Sequence, residues 1–309
     1  MSTPSSTPSS VRILVLTGVL CLIWGSTWVV IKGGLQDLPP FTSVAVRFAL
    51  AAAGMSLLAA LFSKREGGSD PAPSLSLVLG LVNFGVSYGI VYWSETRLPS
   101  GLVALLWAVF PLCVAFWSRL LLPSPERLSP RQWLGFLGVG SLFATDLRAI
   151  GSEAAGAGAI LLLSPLVSAL GTTYVKKHGG GTSSLKLNRN GMWIGAALLG
   201  ASALLFERDA PIAWTAGAIL SVLYLSIFGT VIAFGLYFWL LRHTAANRLS
   251  VISYVTPAIA LALGLLFKDE PVTPFTLAGL ASILAGVFLV HRGGGRKRPE
   301  LVESRAANS

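Results

Sequence analysis

Charge is what this sequence has least of. Lys, Arg, Asp and Glu make up 12% of its 309 residues, against about 25% in an ordinary soluble domain, so a surface facing water on all sides is excluded. The two cysteines, Cys21 and Cys113, both fall inside apolar runs and form no disulfide framework. The three histidines, His178, His243 and His291, stand at the ends of such runs, and no run holds paired Asp or a His beside a Glu. An intramembrane aspartyl or metal-dependent enzyme therefore lacks its groups, and the many serines have no obvious base at depth. There is no G-x-x-x-x-G-K-S/T run and no polar stretch long enough to form a nucleotide-binding domain, which removes an ATP-driven pump. The expectation is no enzyme, no metal and no cofactor.

What is abundant is apolar length. Hydrophobic residues make up 53% of the chain and the mean hydropathy is +0.71. A helix needs roughly 20 mainly apolar residues to cross a bilayer. Ten stretches qualify, and they are numbered spans one to ten: about 12–32, 42–62, 75–94, 100–121, 132–147, 155–175, 190–206, 216–240, 248–267 and 274–291. The fifth is short. None shows the period-two alternation of a membrane barrel strand, and helices satisfy their own backbone in lipid. "MSTPSSTPSS" reads as a disordered tail, and the run after Arg12 is too long for a signal core and lacks a small-x-small cleavage site. The Gly-, Pro- and Ser-rich segments 63–74 and 178–190 read as linkers.

Basic residues test the count. Cytoplasmic loops collect Lys and Arg. With ten spans and the N-terminus inside, 17 of the 23 Lys and Arg fall on the inner side, five on the outer, and Arg47 lies within a span. Without the fifth span the tally turns to 9 inside and 13 outside. Ten spans with both termini cytoplasmic is the better topology. The net charge of +10 follows from it, and the basic tail Arg296–Arg298 reads as a cytoplasmic anchor rather than a nucleic-acid site.

The chain also repeats itself. "WGSTWVVIKGG" (24–34) and "LGTTYVKKHGG" (170–180) agree at five of eleven positions, 146 residues apart. The same offset carries Trp93 onto Trp239 and Pro111 onto Pro257, and "ERLSP" (126–130) matches "EPVTP" (270–274) at an offset of 144. The order of these anchors marks a duplication. Five spans per copy is odd, so the second copy enters the membrane from the opposite side, as in many secondary transporters. The fold expected is an all-α integral membrane protein of ten transmembrane helices in two inverted five-helix repeats. The segments are a cytoplasmic tail over 1–11, repeats over 12–150 and 151–292, and a basic cytoplasmic tail over 293–309.

In "WGSTWVVIKGGLQDLPPF" with "VRFALAA", in "SGLVALLWAVFPLCVAFWSRLLLPSPERLSPRQWLG" and in "VISYVTPAIALALGLLFKDEPVTPFTLAG", the chain resembles the EamA-type ten-helix permeases of the drug/metabolite transporter superfamily. The resemblance covers about 12–291 and rests on the order, spacing and duplication of motifs that are individually apolar. It departs at "LLPSPERL", longer than its partner "LFKDEPV", and in the thin fifth span. It implies a multi-pass protein of the cytoplasmic membrane that exports or exchanges small metabolites, amino acids or drugs. It also implies a cavity lined by spans one to four and six to nine, and no single substrate. A channel and a non-transporting sensor or scaffold are the other classes; the duplication favours alternating access over both.

Polar and aromatic groups within spans are the candidates for contact with solute. Ser26, Thr27 and Trp28 mirror Thr172, Thr173 and Tyr174, next to Gly25 and Gly171. Either the glycines let helices approach and the hydroxyls bond back to their own helices, or the group lines the cavity. Tyr88, Tyr92 and Glu95 form one stripe of span three, readable as packing or as site. Trp24, Trp28 and Trp107 lie deeper than an aromatic belt explains; Trp107 stands one turn before Pro111, and Tyr254 just before Pro257. The two prolines suit a kink, for gating or for shape. Arg47 is the one basic residue well inside a span, and three roles offset its cost: snorkelling to the headgroups, pairing with Glu95, or gripping an anionic solute. No carboxylate or His falls near the midplane, so facilitated movement or exchange is expected, with Glu95 the one candidate proton site.

Overall fold

A computed structural model describes residues 9–123, 151–244 and, discontinuously, 249–281. Spans one, two, three, four and six are Ser10–Gly34, Pro40–Glu66, Pro73–Glu95, Ser100–Leu121 and Ser152–His178. Span seven is Ser184–Phe206, span eight runs over 216–243, and span nine is Ile252–Lys268. Six of these eight, spans one to four, six and eight, are long and apolar enough to cross a membrane. Span five lies outside the described residues, as does most of span ten.

Local chemistry starts these helices. Ser9, Ser183 and Thr215 each accept a backbone N–H three residues on, the usual first-turn cap. Pro40 and Pro73 occupy first-turn positions, where a missing N–H costs nothing. Two boundaries differ from expectation. Span two continues through Glu66 and span seven begins at Ser184, taking in residues that the polar composition assigns to linkers. The reason is capping: Ser183 and Glu66 satisfy the first N–H groups of span seven, so polar residues form its opening turn.

The loops fix two faces. On one, called the Gly67 face, Ser69 N–H donates to the Gly181 carbonyl at 2.8 Å and Ser183 N–H to the Ser69 carbonyl at 3.0 Å, so the turns after spans two and six lie together. Lys186 also pairs with Asp70 there, and its hydrogen bond and charge hold that carboxyl below the usual carboxylate range. On the other, the Asp37 face, Ala213 N–H donates to the Asp37 carbonyl at 3.0 Å, Thr215 Oγ1 to Asp37 Oδ2 at 2.6 Å, and Arg97 lies 3.7 Å from Glu153. Span one therefore runs from the Gly67 face to the Asp37 face, and its counterpart, span six, runs the opposite way. The protein is all-helical, with two repeats of opposed orientation.

Spans two and seven pack antiparallel along their length at the centre. Around them lies a core that includes Phe48, Phe84, Tyr92 and Met192, with Phe48 and Phe84 rings 5.2 Å apart. Apolar side chains also face outward: Leu204, Leu205 and Phe206 are 76%, 75% and 76% exposed. Such exposure is expected of residues whose solvent is lipid.

Four spans are irregular. Spans three and eight turn π-helical over Leu79–Ser87 and Ile227–Ile232, which the repeat offset superposes. Span four is interrupted at Ala108–Val109, just before Pro111, and span six at Leu162. Pro257, by contrast, sits within a continuous helix.

Candidate functional site

Arg47 is a buried cation, only 2% exposed. Its position on span two aims it between spans three and eight. Nη1 donates to Tyr92 Oη at 3.1 Å, and Nη2 and Nε reach Thr230 Oγ1 at 3.2 and 3.4 Å. The guanidinium carbon lies 5.2 Å from the Tyr88 ring centre and 5.4 Å from that of Phe48, the range of a cation–π contact. Thr230 belongs to the π-helical part of span eight and donates to the Leu225 carbonyl at 2.8 Å. Gly229 beside it lets span eight approach span one closely, since a Cβ there would stand 3.0 Å from Thr27 Cγ2. Burial and these bonds rule out snorkelling in this conformation. There is also no direct Arg47–Glu95 ion pair: both oxygens of Glu95 lack a hydrogen-bond partner among the described residues.

Glu95, expected near an outer end, is indeed the last residue of span three, yet it is 0% exposed. Beside it, Lys32 donates its ammonium to the backbone carbonyls of Glu95 and Leu98 at 2.5 and 2.9 Å. A cation there meets the negative end of span three. The charge count places Lys32 in an outer segment, whereas it stands on the last turn of span one.

A second cluster joins spans one, three, four and six. The Trp28 and Trp107 rings are 6.2 Å apart, Trp107 stacks on Phe110 at 4.8 Å, and Trp107 Nε1 donates to Ser164 Oγ at 3.1 Å. Ser164 shares a 2.9 Å bond with Ser87. The break at Ala108–Val109 separates Trp107 from Pro111, so the two do not share an unbroken helical face. Ser26 bonds to Tyr224 at 2.7 Å, and Trp24 packs on Tyr237 and Phe234 at 5.5 and 6.1 Å.

The duplicated motif is not used identically. Thr27 and Thr172 bond back to their own helices. Asn83 bridges to Ser168 and Thr172, Thr173 is buried with no hydrogen-bond partner for its hydroxyl among the described residues, and Tyr174 lies against His178 at 4.6 Å. Both glycines are close-approach points. A Cβ on Gly25 would stand 2.6 Å from Ile259, and one on Gly171 would collide with Asn83. Tyr254 lies on span nine, with its side chain outside the description.

Three carboxylates that composition does not single out tie the repeats together. Glu66 ends span two and caps span seven, accepting from Ser183 Oγ at 2.5 Å and from Ser184 and Leu185 N–H at 3.1 and 3.2 Å. Glu207 follows span seven and caps span two, accepting from Phe41 and Thr42 N–H at 2.6 and 2.7 Å. Glu270 follows span nine and caps span four at Ser100 and Gly101, at 2.7 and 3.1 Å. The signal available in the sequence is a Glu at the ends of two counterpart spans, 66 and 207. On the Asp37 face, a cavity of about 750 Å³ opens between Phe41, Trp93, Arg97, Phe206 and Glu207. None of the sequence-predicted site residues lines it.

Known proteins resemble this chain over most of its length. The model of the EamA-like transporter family matches residues 12–143 and 156–292. The uncharacterized inner membrane transporter YedA of Escherichia coli is 31% identical over 278 residues, 89% of each chain. The uncharacterized transporter YvbV of Bacillus subtilis is 27% identical over 91% of this chain and 92% of its own. A solved crystal structure superposes with a TM-score of 0.64 at 19% identity, over 93% of this chain and 100% of that one, a likeness of fold.

Proposed function

Because the chain belongs to the EamA-like transporter family, we propose that it moves a small organic solute, such as a metabolite, amino acid or drug, across the cytoplasmic membrane by alternating access, as an exporter or exchanger. The observation that carries this reading is the pair of reciprocal caps. Glu66 fastens the first repeat to the second on the Gly67 face, and Glu207 fastens the second to the first on the Asp37 face. Opposed repeats closed by equivalent contacts on both sides have two open conformations of similar energy within reach, one per face. The solute passes between the repeats, along Arg47, Tyr88 and Tyr92 on one side and Trp28 and Trp107 on the other. Arg47 keeps spare N–H groups for an anionic moiety.

Reconstituted protein, screened first by thermal shift against amino acids and small metabolites, tests this. The expected result is uptake of a labelled hit that accelerates when vesicles are preloaded with the same compound. Flux without that counter-exchange would indicate a channel, and no flux for any hit a scaffold or sensor; either overturns the proposal.

A further inference from the structure

Glu95 is the one fully buried carboxylate on these spans for which the described structure offers no hydrogen-bond donor. None of the neighbouring charged groups donates to its carboxylate. Lys32 on span one gives its ammonium to the carbonyls of Glu95 and Leu98. Arg47 on span two is held by Tyr92 and Thr230. Glu270, which follows span nine, is occupied in capping span four and bears the same sign as Glu95. Tyr88, on span three itself, gives its ring to Arg47, and further out Arg97 lies over Trp93 and near Glu153. Lys268, at the end of span nine, reaches Gln36.

An ionised carboxylate away from water, with no donor on either oxygen, is among the costliest arrangements a protein can hold. A metal ion or a solute ammonium group would neutralise it but needs room and further ligands, and no group of three His, Cys, Asp or Glu side chains that could hold a metal occurs among the described residues. A proton needs neither. We infer that Glu95 is a proton-binding site of this transporter, protonated in the conformation seen here and exchanging its proton with water when the Asp37 face opens.

The geometry links that proton to movement. Glu95 stands where spans one, two, three and four and the residues after span nine come together, so both repeats enclose it. Opening the Asp37 face hydrates the carboxylate and lets the proton leave to bulk water; closing returns one proton and expels water. Closure therefore takes up a proton, and raising the pH favours the open form. The inference rests on the alternating-access reading and replaces the expectation of uncoupled exchange.

Two measurements on purified protein in nanodiscs test it without a known solute. The first is pH-difference infrared spectroscopy. The parent should show the C=O band of a buried protonated carboxylic acid, lost in Glu95→Gln and kept in Glu153→Gln, where the carboxylate is 85% exposed. A band that survives Glu95→Gln overturns the proton site. The second is alkylation of Ser94→Cys, with Cys21 and Cys113 replaced by alanine. Ser94 is 0% exposed, so a thiol there reports entry of water beside Glu95. After correction for thiolate fraction, its rate should rise with pH, by up to about tenfold per pH unit for one linked proton. It should be slow at every pH when Glu95→Gln is added, and Glu95→Asp should restore the slope. A rate independent of pH in the parent overturns the link to opening. Neither readout requires flux, so failure of the solute assays and failure of the proton site remain distinguishable.

Discussion

At the residue scale, the sequence shows Arg47 as an anomaly but not its solution. A lone Arg in an apolar run announces its cost; Thr230, 183 residues away, becomes its partner only through the packing of spans two and eight. Glu95 is the converse. At the end of a run it reads as interfacial, and its burial depends on Lys32 and the span nine turn closing over it. The fork at Arg47 makes a sharp prediction. Hydrogen bonds to a charged group contribute about 1.5–3 kcal/mol each, and one ammonium does not reach both Tyr92 and Thr230 in the same planar way. Arg47→Lys should therefore lower the melting temperature nearly as far as Arg47→Ala, with Tyr92→Phe milder than either. A lysine variant that melts with the parent would remove the bidentate role. The glycines offer a matched comparison within one helix. Gly25→Ala places a methyl 2.6 Å from Ile259, whereas Gly18→Ala meets nothing within 4 Å. The first should destabilise by about 1–3 kcal/mol through overpacking. The second should be neutral or gain up to about 1 kcal/mol of helix propensity. Gly171→Leu should impair assembly or transport as Gly25→Leu does, and normal insertion and activity of both would refute the close-approach role.

At the element scale, span positions were legible because hydrophobic length is dictated by the bilayer, and eight of them appear within a few residues of expectation. What was not legible is what happens inside and at the ends of spans. The π-helical segments in spans three and eight carry no signal in hydropathy, since widening a turn leaves composition unchanged; they matter because Thr230 is presented from one of them and Ser87 from the other. The carboxylate caps were hidden for a different reason. A Glu at the end of an apolar run looks like the first residue of a loop, and its acceptor role appears only when the antiparallel partner begins beside it. Spans two and seven pack antiparallel, and at 1.5 Å per residue the 27 residues of span two are about 40 Å long, so the Glu66 and Glu207 caps stand far apart. Each is worth about 0.5–2 kcal/mol as a cap. Glu66→Ala and Glu207→Ala should each lower the unfolding free energy by that much, read from denaturant titration, and should add in the double variant, because distant sites without shared partners do. A double variant markedly worse than the sum would mean that the two faces communicate even in this conformation.

At the scale of the whole molecule, inversion was argued from an odd span count, and the count leaned on a fifth span that is short. The described residues support it independently. Span four starts on the Asp37 face, where Glu270 caps it, and runs 22 residues towards the Gly67 face. Span six starts again on the Asp37 face, where Glu153 meets Arg97, so spans four and six both start on that face, opposite to span one. Which face meets the cytoplasm is a separate matter, and charge supports one assignment. Lys64, Arg65, Lys176, Lys177, Lys186 and Arg189 lie towards the Gly67 face, at the ends of spans two and six and the start of span seven, against Lys32, Arg97, Arg208 and Lys268 towards the Asp37 face among the described residues. On the positive-inside rule, we propose the Gly67 face as the cytoplasmic one. Reporters inserted after Gly68 and after Gly181 should then both read as cytoplasmic and one near Gly151 as external. The sites after Gly68 and Gly181 are joined by the Ser69–Thr182 bridge, so opposite readings for them would contradict the fold itself. Agreement between all three, by contrast, would leave span six without a crossing and remove the inverted repeat on which alternating access depends. A uniform reversal, with 68 and 181 external and 151 cytoplasmic, would leave the fold intact. It would place the Glu95 proton site at the cytoplasmic side and reverse the direction in which opening releases its proton.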